Sequence, residues 1–355
     1  MISAIRAVPT WAKRPEHAGA WAAAVACAWR MVWFKAHSAA QVALLFTALL
    51  ASLSSPVAAQ VERQRFDLRL EIGNHAGIVR RLAVSPDQQR LLTVGDDKTA
   101  RLWALKERAL LHVLRVPLGD GSAGQLYGAA FSPDGRRVAV GGSLGGTAGG
   151  SRMYLFNVAD GRASGSIPIP AGEVRRLLWL RGDVLAACQT EPGGLVIAQP
   201  DGKVLLRQSF EAACFALAEQ ADGSLWAAAS DGKLRRFVAT GGGAWRADRV
   251  LDLELRDPRS IAISPDGKYL AVGYFSPLSR GRALVQVFDA STGQSINRLV
   301  FDDVFEGNLA ALAWSADGTT LAAAGRATQP NSRRFLFKRI AWPAGSVRTD
   351  VVASD

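Results

Sequence analysis

His75, Thr93 and Asp97 place an imidazole, a hydroxyl and a carboxylate in one short span, HAGIVRRLAVSPDQQRLLTVGDDKTARLW, which ends on Trp103. Those are the parts of a nucleophile, its general base and the acid that orients the base. The same side chains also suit a buried structural network. In that case the carboxylate needs donors and the indole N–H needs an acceptor, and leaving either unmet costs about 1–3 kcal/mol. The rest of the chain has to decide between the two.

Other sources of chemistry are sparse. Past the first sixty residues the only histidines are His75 and His112, which starves a metal site or a second acid–base pair of ligands. The glycine-rich GGSLGGTAGG has no following GK[ST] and opens no helix, so it is not a phosphate cradle. Cys188 and Cys214 lie in alanine-rich stretches, LAACQT and EAACFALA, with no CxxC partner and no histidine nearby. They read as two inert buried thiols. The alternative is a disulfide, which requires an oxidising compartment and facing strands. No metal and no cofactor is expected.

The elements that hold these residues repeat. SPDQQRLLTVG begins at Ser85, SPDGRRVAVGG at Ser132, QADGSLWAAAS at Gln220, SPDGKYLAVGY at Ser264 and SADGTTLAAAG at Ser315, with a degenerate LRGDVLAACQT at Leu180. Their aspartates, 87, 134, 183, 222, 266 and 317, recur at intervals of 39 to 51 residues. Each copy has an apolar strand, a turn built by proline, aspartate and glycine, and a second apolar strand. A third, wetter strand and an outer fourth strand follow. Four strands at this period describe an all-β propeller of four-stranded blades. The units run about 75–116, 124–170, 171–209, 210–255, 256–300 and 307–354, within one domain, 60–355. The inner strands, sandwiched between neighbours, are expected to be almost wholly apolar.

The first unit resembles a WD (Trp-Asp) repeat, with Asn74-His75 where Gly-His is usual and DDKTARLW before the strand end. The set as a whole resembles bacterial WD-repeat propellers of the kind sometimes fused to a caspase-like domain, which has no counterpart here. The turn pattern is more weakly similar to TolB-type propellers. The resemblance implies that His75, Thr93, Asp97 and Trp103 form a hydrogen-bonded tetrad inside one blade. Position 104 is Ala rather than Asp, and later units put Phe156-Asn157, Phe237-Val238 and Phe288-Asp289 where Trp-Asp would stand, so only unit one keeps the tetrad.

QRFDLRLEIG (64–73) reads as a leading outer strand without a blade of its own. Two arrangements follow: six blades closed by that strand, or an incomplete seven-bladed ring whose last blade is missing or supplied by a partner. The second is preferred, because SVRTDVVAS (346–354) already gives unit six an outer strand. Ahead of the domain, residues 1–59 read as a secretory signal peptide. A basic approach leads to the uncharged AAQVALLFTALLASL and a small-residue exit at Val57 and Ala59. Met31 makes a more ordinary start, so 1–30 read as upstream of the true one. The alternative is an uncleaved membrane anchor. Removal of 1–59 takes away five basic residues and one acidic residue, and the net charge falls from +11 to +7. No dense basic block remains, and nucleic acid is not expected as a partner. The expected location is periplasmic or secreted.

The long insertions, 141–152, 275–282 and 326–333, all join second to third strands and therefore share one rim. Arg152, Arg280, Arg282, Arg326 and Arg333 give that rim candidates for bidentate contact with a protein partner. The reading is a non-catalytic interaction scaffold. The alternative is a propeller enzyme or small-anion binder at a central channel, whose first strands carry Arg80, Arg81, Arg175, Arg176 and Arg259.

Overall fold

A computed structural model of the protein describes residues 73–143, 151–169, 172–190, 193–276, 283–301, 304, 307–328 and 335–352, all within the compact unit Leu70–Asp355. Residues 1–59, read above as a signal peptide, and all but Gly73 of the expected leading strand lie outside the described residues. Among those described there is no helix long and apolar enough to cross a membrane.

Among the described residues twenty-four strands form six antiparallel units of four. Blade one holds β1 (Val79–Val84), β2 (Arg90–Gly95), β3 (Thr99–Ala104) and β4 (Ala109–Arg115). Blade two holds β5 (Leu126–Phe131), β6 (Arg137–Gly142), β7 (Ser151–Asn157) and β8 (Ala163–Ile169). In blade three the strands are β9 (Val174–Leu180), β10 (Val184–Thr190), β11 (Gly193–Ala198) and β12 (Val204–Ser209). Blade four has β13 (Cys214–Glu219), β14 (Leu225–Ala229), β15 (Lys233–Ala239) and β16 (Trp245–Asp252). Blade five has β17 (Pro258–Ile263), β18 (Tyr269–Ser276), β19 (Ala283–Asp289) and β20 (Ser295–Phe301). Blade six ends the series with β21 (Gly307–Trp314), β22 (Thr320–Thr328), β23 (Phe335–Ala341) and β24 (Val347–Val352). Within every blade the strands pair in sequence order, and the end of β18 also pairs with the start of β21, Phe275 opposite Asn308.

The first-to-second-strand turns follow from their side chains. The hydroxyl of Ser132 donates to Asp134 Oδ1 at 2.6 Å, and the same oxygen accepts the Arg136 N–H at 3.0 Å. Ser264 with Asp266 and Ser315 with Asp317 repeat the arrangement. Gly135 then takes a φ of +68°, which glycine adopts without strain, and in blade one Gln88 stands at +56° in the preceding turn.

Burial differs from the sequence expectation in two ways. Third strands are not uniformly the wetter ones: β7 and β15 are wetter than β6 and β14, but β11 is buried throughout and β19 nearly so, because blades are covered on both faces, whereas the outer β12 and β16 face solvent. First strands are not uniformly dry. They run along the central axis, where one edge of each meets a channel, apart from the start of β21, which pairs with the end of β18.

Each pair of blades adjacent in sequence shares an apolar core. Leu92, Val94 and Leu102 meet Phe131 and Val138 between blades one and two, and the last core sets Val285 and Val287 against Leu321 and Ile340. Three more join the blades between. Among the described residues no such core joins blade six to blade one. The outward face of β1 is bare instead, with Leu82 60% and Val84 49% exposed.

Candidate functional site

The tetrad residues meet inside blade one. His75 approaches from just before β1, Thr93 stands on β2, Asp97 in the turn after it and Trp103 on β3. The His75 Nδ1 lies 2.9 Å from Asp97 Oδ2, and its Nε2 lies 2.7 Å from Thr93 Oγ1. The Trp103 indole N–H donates to the same Thr93 oxygen at 2.9 Å. One proton assignment satisfies every group: Nδ1–H donates to the carboxylate, the threonine hydroxyl donates to Nε2, and its oxygen accepts from the indole. Thr99, which the sequence reading passed over, adds its hydroxyl to Asp97 Oδ1 at 2.8 Å and its backbone N–H at 3.1 Å. An aspartate bonding two residues ahead is a local turn signal that the DKT spacing already carries.

Hydroxyl, imidazole and carboxylate are thus in line, as in a hydrolase. The surroundings differ. The His75 and Asp97 side chains are only 6% and 8% exposed, and the hydroxyl that would attack is occupied on both sides. Burial pushes the Asp97 carboxyl up, but hydrogen bonds from His75 and Thr99 outweigh it and hold the group below its ordinary value.

The open chemistry lies on the axis. A cavity of about 770 Å³ is lined by first strands or their approaches from all six blades, from Arg80 and Arg81 in the first to Asn308 and Ala310 in the sixth. Only sheets set around a common axis can share one such lining. Strand register places this mouth. Val79 pairs with Gly95, Leu126 with Gly142 and Pro258 with Tyr274, so first-strand starts lie beside second-strand ends. The long second-to-third connections therefore leave from the same face as the channel mouth. Arg175 stacks over the Tyr127 ring at 4.4 Å and Arg259 over Phe215 at 3.9 Å.

Of the rim arginines, Arg152 is described: its guanidinium bonds Ser166 Oγ on β8 at 2.9 and 3.1 Å. Arg326 stands on β22 opposite Asn308, and its side chain lies outside the described residues, as do Arg280, Arg282 and Arg333. Cys188 on β10 and Cys214 on β13 form a disulfide between blades three and four, with Cα atoms 5.0 Å apart. Of the two readings of these cysteines, the structure contains the bridge. No group of three or more His, Cys, Asp or Glu side chains stands in position for a metal among the described residues.

Six four-stranded blades about one channel make the protein a β-propeller. The family described as WD domain, G-beta repeat matches residues 67–104, the stretch that carries all four tetrad side chains, and supports a WD-repeat propeller in general. No curated protein matches the chain.

Proposed function

We propose that the protein is an exported, non-catalytic propeller that docks a protein partner on the face where second and third strands are joined. WD repeats build protein-interaction scaffolds in general, and the match to one such repeat supports that class. The observation that carries the finer reading is that the long connections and the wide channel mouth share one face, so a partner there meets both loops and arginine. The tetrad belongs to the scaffold: its hydroxyl is committed and its side chains are buried, so it braces the blade rather than attacking a substrate. The Cys188–Cys214 bridge fits an oxidising compartment and so supports export.

Crosslinking and co-purification from the native compartment test this reading. Arg280→Glu/Arg282→Glu is expected to lose the partner, while Lys268→Glu, on the opposite turn face, retains it. Equal recovery by both variants counts against the loop face.

A further inference from the structure

The arginines of the channel are answered unequally. Arg80 makes a bidentate pair with Asp96 at 2.6 and 2.8 Å, and Arg175 pairs with Glu173. Arg81, Arg176 and Arg259 make no ion pair and no hydrogen bond among the described residues. Their Nε atoms are buried and unpartnered, as is that of Arg175, and the Asn308 Oδ1 beside them is unpartnered too. Arg81 lines both the large cavity and a second one of about 410 Å³ nearer the turn face, and Arg176 lines the second, so the unpaired cations continue down the axis.

This is a costly way to build a core. A buried cation without a counter-charge destabilises the fold, and two close together repel. Burial lowers Arg81, and burial with the charge of Arg81 brings Arg176 down to about 9; a guanidinium is so strong a base that both are cations at neutral pH. Packing does not require them: the equivalent first strands LYGAAF of blade two and CFALAE of blade four carry no arginine. Arg259 is held between the rings of Phe215 and Phe275, at 3.9 and 5.1 Å, which fixes its direction, and the Asp257 carboxylate acts on it without forming an ion pair.

The geometry points to a binding site on the propeller axis for a small, multiply charged oxyanion, its negative oxygens answering Arg81 and Arg259 in the large cavity, with Arg176 beside Arg81 in the adjoining one. Guanidinium groups suit phosphoryl and carboxylate oxygens through paired N–H donors, and charge-assisted bonds of this kind are the strong ones. The cavity falls in the size range of small-molecule sites, about 300–1,000 Å³. Three cations without an ion-pair partner among the described residues, two of them with no opposite charge acting on them, set the charge that the ligand brings. The site does not depend on the docking face and stands or falls separately from it.

Calorimetric titration of the full chain with sodium tripolyphosphate, and separately with citrate, reads the site against sodium chloride of matched ionic strength. Saturable binding to a single site is expected. Tighter tripolyphosphate assigns phosphoryl chemistry, and tighter citrate assigns carboxylate chemistry. Arg81→Gln/Arg176→Gln weakens binding by about tenfold or more, the effect of losing charge-assisted bonds. Arg259→Gln weakens it as well and carries the test should the double variant fail to fold. Absence of saturable binding by either anion, or unchanged affinity in every variant that folds, overturns the assignment.

Discussion

Asp97 shows how one side chain is committed to structure. It accepts from His75, from the Ala76 N–H at 3.1 Å, and from Thr99 twice, so its removal strands several donors at once. Asp97→Ala is expected to destabilise the protein by about 1–3 kcal/mol in denaturant unfolding. The acid side of the stability curve carries a second signature. Because the folded carboxyl titrates below its ordinary value, its contribution is complete above the unfolded pKa and is lost as pH falls through the lower folded one. The variant's stability is therefore expected to fall less steeply with acid than that of the wild type; parallel curves would contradict the brace. Asp97 and Trp103 were legible in the sequence because the DxTxRxW spacing fixes a turn and a strand, whereas His75 and Thr93 were what the resemblance to a WD repeat implied. That their hydroxyl is closed off was not legible, since that depends on the Trp103 N–H folding back onto Thr93.

At the scale of the strand, β2 and β6 both end in a glycine set close beside the chain entering the blade. A methyl group at Gly142 would run into the backbone carbonyl of Gln125, and one at Gly95 into that of Ile78. Gly142→Ala is expected to lower the melting temperature well beyond an Ala substitution at the exposed Gly165, where the nearest atom stands 3.9 Å away. Thermal unfolding of the two variants checks it, and equal shifts would refute the close approach. Strands and turns were readable along the chain because SPDG chemistry and alternating apolar runs act over a few residues. Burial by strand was not: β11 and β19 are dry because neighbouring blades cover them, and nothing within GLVIA or LVQVF announces that cover. The bridge between β10 and β13 was open for the same reason, since two alanine-rich cysteine segments look alike whether or not their strands approach.

For the molecule as a whole, the decisive feature is the bare face of β1. Leu82 points outward there, while Leu92 on the neighbouring strand is fully buried against blade two. Leu82→Lys is expected to change folding stability by about 0.5 kcal/mol or less, the usual range for surface changes. Leu92→Ala is expected to cost about 2–5 kcal/mol. A large loss in Leu82→Lys would mean that something covers this face in solution. The sequence pointed to six units with the outer strand of the sixth already supplied, and β24 occupies that place. How a ring ends is not written in any one repeat, because each blade records only its own hydrogen bonds.

The covalent link between blades three and four has a consequence for how such an array comes apart. A row of modules held by nearest-neighbour contacts frays from its two ends, where each terminal module has a single neighbour. Among the six described blades the tether sits in the middle of the row, on the pair farthest from the first and the sixth. Unravelling that starts at the first or the sixth module therefore runs toward a kernel that cannot separate, and recovery can begin again from it.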